Sequence, residues 1–361
     1  MRITANQVTF SRLIAMPGLC WLLYGGESQR LLALILGTII GCTDFVDGYL
    51  ARKYGPTVLG GLMDPIADKV FIAVAFLPYA DRDWTPWWLV ALLFLREFLV
   101  TALRSCFERR ALTLKSSYLA KVKTWVQMCG LGLLMAVLVI HSSAWIYGIL
   151  GFFTVGPLLA WAVVRVRKGT NSRSALVGAF SFGLATLVYG LGGPYWLTIA
   201  LFVGMVGITW ITGLDYIVTG VREWIRTREL TAFDGVRILG SIALPLLAIL
   251  VLVHSHAAPW AVITLVAIEM AHGGLDNLLA HHGAAASATV WGARMFIASG
   301  CLAAGLILPA LATPLAAAAL AVSLIGTTVA FVRNRRFYLE EKLREQKMDA
   351  DPAASTPGSA A

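Results

Sequence analysis

Charge is scarce in this chain. Only 14% of its 361 residues are Asp, Glu, Lys or Arg, and 58% are hydrophobic; soluble domains carry about 25% charged and about 45–50% apolar residues. That deficit excludes an ordinary water-soluble domain and points to a polytopic membrane protein. Cysteine is also sparse. Cys20, Cys42, Cys106, Cys129 and Cys301 are scattered through apolar segments, without the spacing of a disulfide framework or a metal site, and read as reduced packing residues. No compact basic domain is present, so the net charge of +9 does not imply nucleic acid as a partner. No charged leader with a small-residue cleavage site opens the chain, and its first apolar segment is expected to remain as a span.

Long apolar runs take the place of all these. About twelve of them approach the ~20 residues a membrane span requires, beginning at 8–25 and ending at 314–333. The expected fold is all-α with about twelve transmembrane helices. Residues 1–168 form a first six-helix bundle, 169–340 a second membrane-embedded half, and 341–361 a polar tail expected to be disordered. Basic residues such as Arg52, Lys53, Lys121, Lys123, Arg167 and Arg335 fall on one side of this layout. By the positive-inside rule that side is cytoplasmic, and its excess charge meets anionic headgroups.

Against this background four carboxylates stand out in the stretch 44–68. Asp44 and Asp47 are spaced i,i+3, and Asp64 and Asp68 are spaced i,i+4, so each pair shares one face of its helix. The link between them contains Gly55, Pro56, Gly60 and Gly61 and can turn sharply. An ionised carboxylate at membrane depth costs about 2.5–3.5 kcal/mol on insertion scales, and four together repel one another. A pair of divalent cations would hold them, and hard oxygen donors suit Mg²⁺ or Mn²⁺. Two such ions can clamp a phosphoryl centre. The chain shows no Ser-His or Cys-His nucleophile, so direct in-line transfer is favoured, with one carboxylate taking the proton of an attacking hydroxyl. Arg52, about one turn beyond Asp47, is placed to meet phosphate. The competing interpretation is a cation relay in a twelve-helix transporter.

The run Asp44-x2-Asp47-Gly48-x2-Ala51-Arg52-x7-Gly60-x3-Asp64-x3-Asp68 resembles the signature of the CDP-alcohol phosphotransferases, with a link one residue shorter than that family's usual pattern. Asn6, Thr9, Arg12 and Pro17 upstream are similar to the first-helix segment of its phosphatidylglycerophosphate-forming branch. So are Arg96-Glu97, Thr101, Arg104, Lys121, Lys123 and Gln127 downstream. The resemblance covers residues 4–165 and implies a bacterial inner-membrane enzyme whose site faces the cytoplasm. It implies transfer of a phosphatidyl group from CDP-diacylglycerol to an alcohol, with release of CMP. sn-Glycerol 3-phosphate is the first-choice acceptor; serine, an inositol phosphate or a phospholipid are the alternatives. Asp44, Asp47, Asp64 and Asp68 would bind two metal ions, Asp68 also serving as general base. Asn6, Thr9, Arg12, Gly48, Ala51, Arg52 and Gly60 would line the CDP site, and Arg104, Lys121 and Lys123 would meet the acceptor's phosphate. Dimers are common in such a family, so a homodimer or an internal pseudo-dimer is the expected assembly.

In the second half, Leu275-Asp276-Asn277-Leu278-Leu279-Ala280 parallels Val46-Asp47-Gly48-Tyr49-Leu50-Ala51, and Phe233, Arg237 and Pro245 parallel Phe10, Arg12 and Pro17. A decayed copy of the catalytic unit and chance likeness between helix ends both explain this. Counterparts of Asp64 and Asp68 are missing from 291–300, so the second half is expected to be catalytically silent. Glu269 and His272, spaced i,i+3, read as packing or a local hydrogen bond.

Overall fold

The computed structural model describes residues 5–54, 58–108, 118–168, 173–227, 231–281 and 288–335. All regular structure among them is helical: α1 (Ala5–Leu23), α2 (Glu27–Tyr54), α3 (Val58–Asp81), α4 (Trp87–Glu108), α5 (Tyr118–Val139), α6 (Ser143–Lys168), α7 (Arg173–Thr227), α8 (Ala232–His254), α9 (Pro259–His281), α10 (Ala288–Ile307) and α11 (Ala312–Arg333). Each apolar run of the sequence finds a helix, two of them sharing α7. That helix breaks at Gly193, whose φ of 71° suits a residue without a Cβ. Pro194 follows and cannot donate a backbone hydrogen bond.

The count of helices is not a count of spans. Six of the described helical stretches are long and apolar enough to cross a membrane: they lie in α6, α7, α8, α9, α10 and the region of α11. Twelve such spans are therefore not established. In α3 and α4 charge interrupts the apolar run: α3 carries Asp64, Asp68 and Lys69, and α4 carries Arg96, Glu97 and Arg104. The link between the acidic pairs is also shorter than expected. α2 runs on to Tyr54 and α3 begins at Val58, so Gly60 and Gly61 lie within the first turns of α3 rather than in a loop.

One apolar core serves both halves. Ala73, Phe76 and Leu77 of α3, Leu93 and Phe94 of α4, Leu244 and Ala248 of α8, and Val262 and Leu265 of α9 are buried in a single cluster. α9 lies against α3 and α4, and α8 against α4. Close approach needs small residues at the contact: a Cβ on Gly273 would sit 2.9 Å from Thr101 Cγ2, and one on Gly274 3.8 Å from Lys69 Cδ. α8 is fixed at its start by a reciprocal cap between Thr231 and Asp234, which sets the turn that bears Arg237. By contrast α6 exposes Trp145, Phe152, Leu159 and Val166, and the first part of α7 exposes Phe180 and Leu191. Such an unpartnered apolar surface suits lipid.

Candidate active site

α1 packs against both α2 and α3, and two of its side chains reach the second acidic pair. Thr9 and Arg12 are spaced i,i+3 on α1 and are almost wholly buried. Thr9 Oγ1 donates to Asp64 Oδ1 at 2.8 Å. Arg12 Nη2 donates to Asp68 Oδ1 at 3.0 Å. Asp64 and Asp68 thus turn one face of α3 toward α1, each with an oxygen held by a donor of known direction. The Arg12 guanidinium is 2% exposed and the Asp68 carboxylate 56%. The pair is anchored on its cationic side and open on its anionic side.

Asp68 opens into a cavity of about 260 Å³. Its polar wall comes from four helices: Arg12 of α1, Asp68 and Lys69 of α3, Glu97 of α4 and Gln127 of α5. Phe71, Ile72, Phe76, Met128 and Leu131 form the apolar remainder. Both signs of charge line one compartment, which can therefore hold a polar substrate and move a proton at Asp68.

The α4 wall is braced from two sides. Lys69 Nζ donates to Thr101 Oγ1 at 3.1 Å, and Thr101 Oγ1 donates to the Glu97 carbonyl at 2.6 Å. Arg96 and Glu97 form the internal ion pair expected of charges inside an apolar helix, at 3.1 Å. The second half completes it: Arg96 Nε donates to the Thr209 carbonyl at 2.8 Å and Nη2 to Thr212 Oγ1 at 3.0 Å.

The other predicted residues divide into two groups. Asn6 lies on α1 one turn before Thr9, and Arg104 on α4. The Arg104 guanidinium donates to the Tyr216 hydroxyl at 3.0 Å and lies over its ring, and Arg104 is not among the described residues of the cavity wall. Asp44, Asp47, Gly48, Ala51 and Arg52 belong to α2, Gly60 to α3, and Lys121 and Lys123 to α5, but their side chains lie outside the described residues. Backbone geometry still constrains α2 and α3. Only residues 55–57 separate the two helices, and four Cα steps reach at most about 14 Å. At about 1.5 Å per residue, Asp47 and Asp64 both lie about 10 Å from the link, and Asp44 and Asp68 about 15 Å. Among the described residues no three His, Cys, Asp or Glu side chains converge as a metal site.

Sequence reasoning placed none of Lys69, Glu97 and Gln127 in the site, Glu97 and Gln127 entering only through the family resemblance, yet all three line the cavity. A signal existed for Lys69, an amine directly after the last aspartate of the motif. For Glu97 the signal pointed elsewhere, because an adjacent Arg explains a buried Glu by itself.

The CDP-alcohol phosphatidyltransferase family model matches residues 2–164. The chain is 33% identical over 163 residues to the CDP-diacylglycerol–glycerol-3-phosphate 3-phosphatidyltransferase of Rickettsia typhi, a match covering 45% of this chain and 88% of that one. It is 32% identical over 144 residues to the like-named enzyme of Bacillus subtilis, covering 36% and 75%. It is 39% identical over 134 residues to a probable phosphatidylglycerophosphate synthase of Mycobacterium tuberculosis, covering 36% and 64%. No solved structure matches. Residues from 165 onward lie outside the family match.

Proposed function

This chain belongs to the CDP-alcohol phosphatidyltransferase family, and on that premise we propose that it transfers the phosphatidyl group of CDP-diacylglycerol to sn-glycerol 3-phosphate, releasing CMP. The observation that carries the reading is the half-exposed Asp68 carboxylate, held by buried Arg12 and facing a cavity of mixed charge. The acceptor hydroxyl attacks the phosphorus that bears the diacylglycerol. An oxygen–phosphorus bond forms, the bond from that phosphorus to the bridging oxygen breaks, and the bridging oxygen leaves on CMP. Asp68 takes the hydroxyl proton.

The family generally uses divalent metal ions. The residues fit them: Asp64 and Asp68 offer hard oxygens on one helix face, and Thr9 and Arg12 orient one oxygen of each. Asp44 and Asp47 fall at matching levels across the link. Together the four would hold two ions, Mg²⁺ or Mn²⁺, which when bound supply charge stabilisation at the phosphoryl group. Arg52 balances the diphosphate, and Gly48, Ala51 and Gly60 leave room for the nucleotide beside Asn6, Thr9 and Arg12. Arg104, Lys121 and Lys123 supply cations to the acceptor's phosphate. The site faces the cytoplasm of a bacterial inner membrane, in a chain of about twelve spans. Residues 169–340 pack on the catalytic bundle 1–168 in place of a second subunit, giving an internal pseudo-dimer that is catalytically silent in its second half.

Two outcomes are expected. With labelled acceptors offered to purified protein and CDP-diacylglycerol, sn-glycerol 3-phosphate gives a phosphatidyl product and stoichiometric CMP, whereas serine and inositol phosphate do not. Label entering from serine instead would reassign the acceptor, and absence of CMP with every acceptor would overturn the reading. Thr9→Val removes the donor to Asp64 while keeping its shape. It should weaken divalent-cation affinity about 10–100-fold, the usual effect of losing an outer-shell partner. Mn²⁺ binding followed by electron paramagnetic resonance without substrate measures this directly, and unchanged binding would show that Thr9 does not orient Asp64 for a cation.

A further inference from the structure

A second cleft lies far along the chain from the acidic motif, between α9, α10 and α11. It is lined by His272, Trp291, Arg294, Ala330, Arg333 and Asn334. Arg294 is almost wholly buried and donates Nη2 to Glu269 Oε2 at 3.1 Å and Nη1 to Thr327 Oγ1 at 3.2 Å. Glu269 thus pairs with α10, not with His272 as the i,i+3 spacing suggested. His272 is 5% exposed, and neither of its ring nitrogens has a hydrogen-bond partner among the described residues; nor does Arg294 Nε. Unsatisfied buried polar atoms are costly and rare in native proteins. Several facing one cleft mark a place where another polar group completes the set.

The chemistry of the wall selects that group. Two guanidiniums, Arg294 and Arg333, line the cleft, and the one carboxylate nearby, Glu269, pairs with Arg294 from outside that lining, so the cleft is positive before His272 is considered. A cation is disfavoured there and an anion is held. The described cavity volume is about 20 Å³, room for one water-sized group at about 10–15 Å³, such as a single phosphate oxygen. The remainder of the anion would lie at the rim beside Arg333 and Asn334, at the end of α11. Gly326 makes the arrangement possible, because a Cβ there would fall 2.6 Å from Arg294 Cδ. Beside the row Gly326, Ala330, Arg333, the apolar Ile325 and Val332 are exposed, so acyl chains can reach the rim.

We propose that the cleft formed by His272, Arg294 and Arg333 binds a phosphate group, with Arg294 Nε and one His272 nitrogen donating to a buried phosphate oxygen and Arg333 meeting the outer ones. This site is independent of the catalytic reading and shares no residue with it. Free inorganic phosphate and the phosphate of an anionic lipid headgroup present the same chemistry, and the experiment separates them.

The full-length protein in neutral detergent, with CDP present to fill the nucleotide site, is titrated with labelled dihexanoyl phosphatidic acid, and bound label is counted. Inorganic phosphate and dihexanoyl phosphatidylcholine serve as competitors. Arg333→Gln, at an exposed position, and Ala330→Trp, which plugs the cleft without removing a charge, should each lower affinity tenfold or more and leave basal CMP release unchanged. Competition by inorganic phosphate at comparable concentration supports the proposal with free phosphate as the ligand. Retention of label against phosphate, with choline lipid competing poorly, supports it with an anionic headgroup. If both variants bind label as the native chain does, or if the choline lipid competes equally, the proposal is overturned.

Discussion

Asp68→Asn lowers the rate of CMP release from CDP-diacylglycerol and sn-glycerol 3-phosphate by about 10²–10⁴-fold, the usual contribution of a positioned general base. An amide keeps the shape of the side chain and can still accept from Arg12 through its oxygen, so the wall of the cavity survives. What it loses is the capacity to take a proton, together with the negative charge that pairs with a guanidinium 2% exposed. The second loss has its own signature. Removing one charge partner of a buried cation is destabilising, so a fall in thermal midpoint in detergent accompanies the fall in rate. Arg12→Gln with Asp68 intact removes the ion pair but leaves a base. With CDP-diacylglycerol saturating, which offsets any loss at the nucleotide site, it should cost turnover less than Asp68→Asn does while lowering the midpoint comparably. A rate within tenfold of the native enzyme in Asp68→Asn would remove Asp68 from the proton transfer and direct attention to Glu97 across the cavity.

The ion pair also shows where sequence reasoning stopped. Spacing alone places Asp64 and Asp68 on one face of a helix, and the family resemblance puts Thr9 and Arg12 beside a nucleotide. Neither reveals that α1 delivers Thr9 to Asp64 and Arg12 to Asp68. Those contacts depend on how α1 lies across α3, and the packing angle of two helices is set by side-chain shape along the whole contact. The helices themselves were legible because apolar runs of span length have few alternatives in lipid, and the break in α7 was marked by Gly193-Pro194. The ends of helices were less so. Val58-Leu59 could open a helix or close a loop, and the two glycines after them favoured the loop on propensity, yet α3 begins before them.

The role of the second half was the least legible feature, for a related reason. Thr209, Thr212 and Tyr216 are unremarkable residues in an apolar run. They matter because the second part of α7 sets them against Arg96 and Arg104 of α4. An Arg buried in an apolar helix announces that a partner exists; it does not say which helix supplies it. α7, α8 and α9 pack on α3 and α4, so the second half, which lies outside the family match, braces the helices of the cavity wall, and among the described residues it contributes no carboxylate to that wall.

The largest stability effect belongs to the buried cluster that joins the two halves. Arg237 of α8 and Asp276 of α9 form an ion pair, each side chain 3% exposed. Ser105 of α4 donates to Asp276 Oδ2 at 2.6 Å and accepts from Arg237 Nη2 at 2.8 Å. The guanidinium lies over the rings of Trp291, at 5.0 Å, and Phe233, at 5.8 Å. Arg237→Leu removes the buried charge partner of Asp276 and should cost about 3–5 kcal/mol, seen as a large fall in thermal midpoint and in yield. The double variant Arg237→Leu/Asp276→Leu removes both charges and should recover most of that loss, since replacing both members of a buried pair is often close to neutral. Its transferase activity decides what the motif-like segment around Asp276 does. In a decayed copy without chemistry, the stable double variant keeps native turnover, because the aspartate there is neutralised by an arginine of its own half. Were the double variant stable but inactive, Asp276 would belong to the reaction, and the second half could no longer be described as packing alone.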